Sequence, residues 1–109
     1  MAWLMRGDDV LATAQVATTR SVRRKGLIGR ESLDGAFVIP RCRHVHTFGM
    51  KFAIDVVFCD RTGTVIRVAT LAPNRISPLV LRSAMVIESA ACSCDRWALR
   101  VGDVVELTS

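Results

Sequence analysis

The stretch that most restricts the fold runs from Ile54 to Leu71, IDVVFCDRTGTVIRVATL, two apolar runs on either side of Asp60-Arg61-Thr62-Gly63. Val, Ile and Thr suit a pleated strand. Asp at the first turn position and Gly at the fourth suit a type I turn followed by a left-handed glycine. The spacing predicts strands over Ile54–Cys59 and Thr64–Leu71, joined by a bulged three-residue loop, with Asp60 opposite Thr64 and Asp55 opposite Ala69. In that register one face carries Ile54, Val56, Phe58, Ile66 and Val68, and the other carries Asp55 with Arg67 diagonal to it and within reach. A two-residue loop would turn Asp55 onto the apolar face with no cation, and burying an unpaired carboxylate is costly.

Around this hairpin the pattern predicts further short elements. Val10–Thr18 alternates and reads as a strand. A helix follows, capped by Thr18 or Thr19, with Val22 and Leu27 or Ile28 as its apolar stripe. Gly26 and Gly29 each cost it roughly 1 kcal/mol relative to alanine, so it should be short. Ala36–Pro40 and Ala84–Ala90 read as strands, Cys94–Leu99 as a short helix, and Val104–Leu107 as a closing strand. With 109 residues, half of them hydrophobic, the chain fits a single domain over 1–109.

The opening MAWLMRGDDV meets Arg6, Asp8 and Asp9 before a signal core can form. No run approaches the roughly 20 apolar residues of a membrane span. Cys42, Cys59, Cys92 and Cys94 lack CxxC spacing. A cytoplasmic protein with free thiols is therefore expected.

The positive charge is uneven. Residues 1–54 carry nine Lys/Arg against four Asp/Glu, and residues 55–109 carry six against six. Arg20, Arg23, Arg24, Lys25 and Arg30 cluster on the short helix and just beyond it. Such a patch suits an anionic ligand, an acidic surface or simply solvent. Nucleic acid is not favoured: there is no Tyr, the six other Trp and Phe are scattered, and no helix-turn-helix or zinc-finger spacing appears. Cys42, His44 and His46 alternate, as zinc ligands can, but adjacent side chains on one strand rarely converge on one ion. No metal or cofactor is assigned.

The segments GLIGRESL, HTFGMKFAIDVVFCD, TVIRV, MVIES and LRVGDVVEL, in that order, resemble the family known as domain of unknown function 192, over roughly residues 19–107. Gly26, Leu27, Arg30, Phe48, Met50, Lys51 and Asp55 occupy positions matching its motifs. Ala53 stands where proline is usual, Gly49 where many members have Trp and a longer loop, and Cys92 where glycine is common. The resemblance implies an α+β fold, a single compact domain with a curved, barrel-like, mainly antiparallel sheet and one or two short helices. It implies no activity.

The leading functional expectation is a binding module for an anionic small molecule or peptide. Its site would lie where the basic helix meets the HTFGMK loop. Arg24, Arg30 and Lys51 would attract the ligand, His46 and Asp55 orient it, and Met50 line the site. One alternative is a small enzyme using His46 with Asp55, or Cys42 or Cys59 as a nucleophile, although no GxSxG, HExxH or P-loop motif is present. Another is an accessory protein that docks on a protein partner or an anionic surface.

Overall fold

The structure, a computed structural model, describes residues 2–109. In chain order its elements are β1 (Ala2–Arg6), β2 (Asp9–Val16), α1 (Arg20–Lys25), β3 (Ala36–Pro40), β4 (Ile54–Cys59), β5 (Val65–Leu71), β6 (Met85–Ala90), α2 (Ser93–Trp97) and β7 (Glu106–Thr108). The strands form one mixed sheet in the order β5-β4-β6-β3-β2-β1-β7. β2 and β3 run parallel, which requires a crossover, and α1 lies within it. The other neighbouring pairs are antiparallel. Thr19 caps α1, its Oγ1 accepting the Val22 N–H at 3.2 Å.

The apolar run of β4 is buried along its whole length, as expected of a central strand covered on both faces. One core cluster gathers Leu4, Val38, Val57, Ile87 and Leu99. The other gathers Phe37, Val56, Phe58 and Val86 with Leu27 and Met50. Alternate residues of β3, β4 and β6 thus feed two cores in one domain.

The sheet is not closed, so the barrel-like shape is not reached. Its edges β5 and β7 share no ladder, but the start of β5 and the turn before it meet the segment that leads into β7. Val65 donates its N–H to Asp103 O at 2.8 Å, and Val105 donates to Gly63 O at 2.9 Å.

The β4–β5 hairpin keeps its expected turn: Asp60 donates its N–H to Thr64 O at 2.9 Å, and Gly63 is left-handed at φ +84°. A second irregularity between Phe58 and Cys59 then shifts the register, so Asp55 faces Thr70, not Ala69. One extra residue turns all that follow it to the other face. Ile66 still packs with the Phe58 cluster, but Val68 packs with the Val57 cluster. The expected Asp55–Arg67 pairing is also corrected. Arg67 lies opposite Phe58, while Asp55 accepts hydrogen bonds from Thr70 Oγ1 at 2.9 Å and the Cys94 N–H at 3.0 Å.

Candidate functional site

Two irregular segments, 41–50 and 72–84, are laced together on the side of the sheet that carries Met50. Thr47 donates its N–H to Arg75 O at 2.8 Å, Ser77 to Val45 O at 2.9 Å, and Val80 to Arg43 O at 2.8 Å. Thr47 is fully buried, and its Oγ1 donates to Ala72 O while accepting the Arg75 N–H. Ser83 Oγ donates to Cys42 O at 2.8 Å. These bonds give two loops a fixed shape without a regular strand.

Beside them opens a groove of about 1030 Å³. Its walls carry Arg23, Arg41, Arg43, Arg61, Arg82 and His44, with Leu79 and Leu81 as apolar lining. Arg23 is held in place, its Nη2 donating to Arg41 O at 3.2 Å. None of the five arginines belongs to either ion pair found among the described residues, Arg6–Asp103 and Lys51–Glu31. The carboxylate in the wall is Asp60, whose Oδ1 already accepts from the Thr62 and Thr64 N–H groups and from Thr62 Oγ1. The Thr62 hydroxyl bond, aided by the backbone N–H bonds, holds its carboxyl below the usual value despite partial desolvation.

Arg23, Cys42 and His44 also border a smaller pocket of about 150 Å³. Arg24, Lys25 and His46 stand at this pocket, as do Leu27, Ile39 and Met50. Glu88 lines it too and is only 4 % exposed. Its neighbours across the sheet are Phe37 on β3 and Val56 on β4, both fully buried. Desolvation there pushes the Glu88 carboxyl up to about 7. Sequence reasoning passed over this residue, because MVIES reads as an ordinary strand whose acid could equally face solvent.

The expected site residues divide. Arg24, His46 and Met50 come together at the smaller pocket. The His46 ring stacks on Phe48 at 5.2 Å, and its Nδ1 accepts the Phe48 N–H at 3.2 Å. Lys51 is instead paired with Glu31 at 2.7 Å. Arg30 donates to Gln15 Oε1 at 3.0 Å and lies over the Phe37 ring. Asp55 bonds Cys94, a member of the other core cluster, so the sheet separates it from His46 and the two form no acid–base pair.

Cys42, Cys59 and Cys94 are poorly placed as nucleophiles, since burial disfavours each thiolate. Burial pushes Cys59 up to about 12, and burial aided by the Asp55 carboxylate does the same to Cys94. Burial also raises Cys42, against the opposing effects of a hydrogen bond to His44 O and the Arg23 charge. Among the described residues, no three His, Cys, Asp or Glu side chains are grouped to hold a metal ion, so Cys42, His44 and His46 do not converge. No helix there is long and apolar enough to cross a membrane.

These features define a small α+β domain with an open seven-stranded mixed sheet and an arginine-lined groove against two laced loops. The model of the family DUF192, described as Uncharacterized ACR, matches residues 3–107, and the chain belongs to that family. Two solved structures share its fold. One is a protein of unknown function from Novosphingobium aromaticivorans DSM 12444, 18% identical at a TM-score of 0.81, with 96% of this chain and 82% of that one covered. The other, from Sinorhizobium meliloti 1021, is described only as a candidate transcription regulator. It is 21% identical at a TM-score of 0.80, with 96% of this chain and 90% of that one covered. No curated protein matches.

Proposed function

We propose that this protein is a binding module for a small anionic molecule or anionic peptide group. The ligand would lie in the groove between the C-terminal end of α1, residues 41–44 and the β4–β5 turn. One observation carries the reading: five arginines and a histidine line one concavity against a single carboxylate, Asp60, whose Oδ1 is engaged by the turn and whose charge is also felt by Arg82. Guanidinium groups bind phosphate or carboxylate oxygens in pairs, with charge-assisted hydrogen bonds. Leu79 and Leu81, 60% and 69% exposed, supply an apolar contact for the rest of the ligand. Arg24, His46 and Met50 extend the site into the adjoining pocket. Arg30, Lys51 and Asp55 line neither cavity and fall outside this site.

A protein partner is the second reading. It is favoured by Ile76, Leu79 and Leu81, three large apolar side chains exposed along one loop, more than an isolated exposed leucine would mean.

Titration calorimetry with inorganic phosphate tests the first reading. Arg43→Ala and Arg82→Ala should each weaken binding at least fivefold, and wild-type affinity should fall steeply with added salt. Arg67→Ala, outside the groove, should change neither. Equal affinity in all four proteins would sink the proposal.

A further inference from the structure

The smaller pocket places opposite charges at different depths. At its floor is the Glu88 carboxyl, 4 % exposed and outside both ion pairs found among the described residues. Its carboxyl makes no side-chain hydrogen bond among the described residues and is not one of the fully enclosed unpartnered atoms, where Ser89 Oγ stands, so its oxygens open onto the pocket. Its cross-strand neighbours Phe37 and Val56 offer no side-chain partner. At the mouth are Arg23, Arg24 and Lys25 from α1 and the imidazoles of His44 and His46. The Cys42 thiol points elsewhere, to His44 O at 3.1 Å.

A plain cation would have to pass the basic mouth, and a plain anion would meet the floor carboxylate. A zwitterion satisfies both. A cavity of about 150 Å³ holds a group of roughly six heavy atoms, the size of benzene. The shared wall of Arg23, Cys42 and His44 leads from it into the arginine groove.

We propose that the ligand is a small zwitterion of the aminoalkyl phosphate type, its primary ammonium donating to Glu88 in the inner pocket and its phosphate held by the arginines of the groove. This rests on the anion-binding reading above and adds the second recognition point. An ammonium beside the one carboxylate that lines this pocket gains a charge-assisted hydrogen bond, and the interaction strengthens as water is excluded.

The test compares O-phosphoethanolamine with ethyl phosphate, which lacks the amine, by calorimetry on the full chain at pH 8, where Glu88 is ionised. Wild type should bind phosphoethanolamine at least tenfold more tightly. Glu88→Gln, an isosteric change, should erase that preference while leaving ethyl phosphate affinity within about twofold, since groove arginines hold the phosphate. A melting curve and a phosphate titration of the variant establish that it is folded and that its groove is intact.

Ethyl phosphate binding with no gain from the amine, or a gain that survives Glu88→Gln, would overturn the zwitterion and leave the anion site standing. Binding of neither compound would overturn both. The same chemistry occurs in a lipid headgroup, so co-sedimentation with phosphatidylethanolamine and phosphatidylglycerol vesicles is run in parallel. Capture by the first alone, dependent on Glu88, assigns the headgroup as the source; binding of only the soluble compound assigns a free ligand.

Discussion

Glu88 carries an energetic signature that can be read without any ligand. Its carboxyl rises from 4.5 to about 7 through burial. The native state therefore holds its proton over a range where the unfolded chain has released it, and stability contributed by this group falls as pH rises between those values. Above the folded value the penalty is on the order of 3 kcal/mol; below the unfolded value it vanishes. Glu88→Gln should accordingly raise stability by about 1–3 kcal/mol at pH 8.5 and leave it nearly unchanged at pH 4, as read from urea unfolding. An equal effect at both pH values would mean that the side chain is not desolvated.

Asp55 shows the opposite arrangement, a buried carboxylate with both oxygens occupied. It joins β5 through Thr70 and the start of α2 through the Cys94 N–H. Asp55→Ala should cost about 2–3 kcal/mol of unfolding free energy, and a loss below 1 kcal/mol would contradict that role. The sequence marked Asp55 as special but not its partners, because Cys94 is 39 residues away and a bulge moved Arg67. Cys92 was set apart by the resemblance only as a departure, and no local pattern foretold that it is left-handed at φ +72°, a conformation that glycine adopts without strain.

At the scale of elements, local pattern was enough where the signal was dense. Ile54–Cys59 and Ala36–Pro40 match their expected limits, and the Asp60–Gly63 turn has its expected form. Pattern failed at β1, whose five residues, AWLMR, do not alternate cleanly, and at the bulge inside β5, which no residue type announces. Closure was also overestimated, since β5 and β7 share no ladder and, on that side, Val65 of β5 bonds only the Gly102–Asp103 turn ahead of β7. Gly63 is the position that permits even this contact, because a Cβ there would collide with Val105 O. Gly63→Ala should therefore lower stability by more than 2 kcal/mol through left-handed strain plus steric conflict. It should also expose the Val105 amide, which donates to Gly63 O, to faster hydrogen exchange. Unchanged exchange at Val105 would show that the two edges are held by other means.

Over the whole molecule, charge balance along the chain was a misleading guide to the surface. Residues 55–109 are neutral in sum, yet they supply Arg61 and Arg82 to the groove. Two of their acids, Asp55 and Glu88, are buried, so the balance of that half is not the balance of its exposed face. The groove joins residues near positions 23, 42, 61 and 82, which only the β4–β6 pairing and the laced loops bring together. Sequence spacing directed attention to the basic helix and the HTFGMK loop. The groove instead takes Arg23 from the helix, residues 41–44 ahead of that loop, and a facing wall from Asp60–Thr62 and 79–84 that spacing could not identify.

If the assembled arginine groove is an anion site, amide chemical-shift mapping during a titration with inorganic phosphate should reveal it. Saturable shifts are expected at Arg41–His44, Arg61–Thr62 and Arg82–Ala84, with β1 and β7 unmoved. Shifts spread evenly over every basic segment, or confined to the Glu31–Lys51 surface, would contradict it.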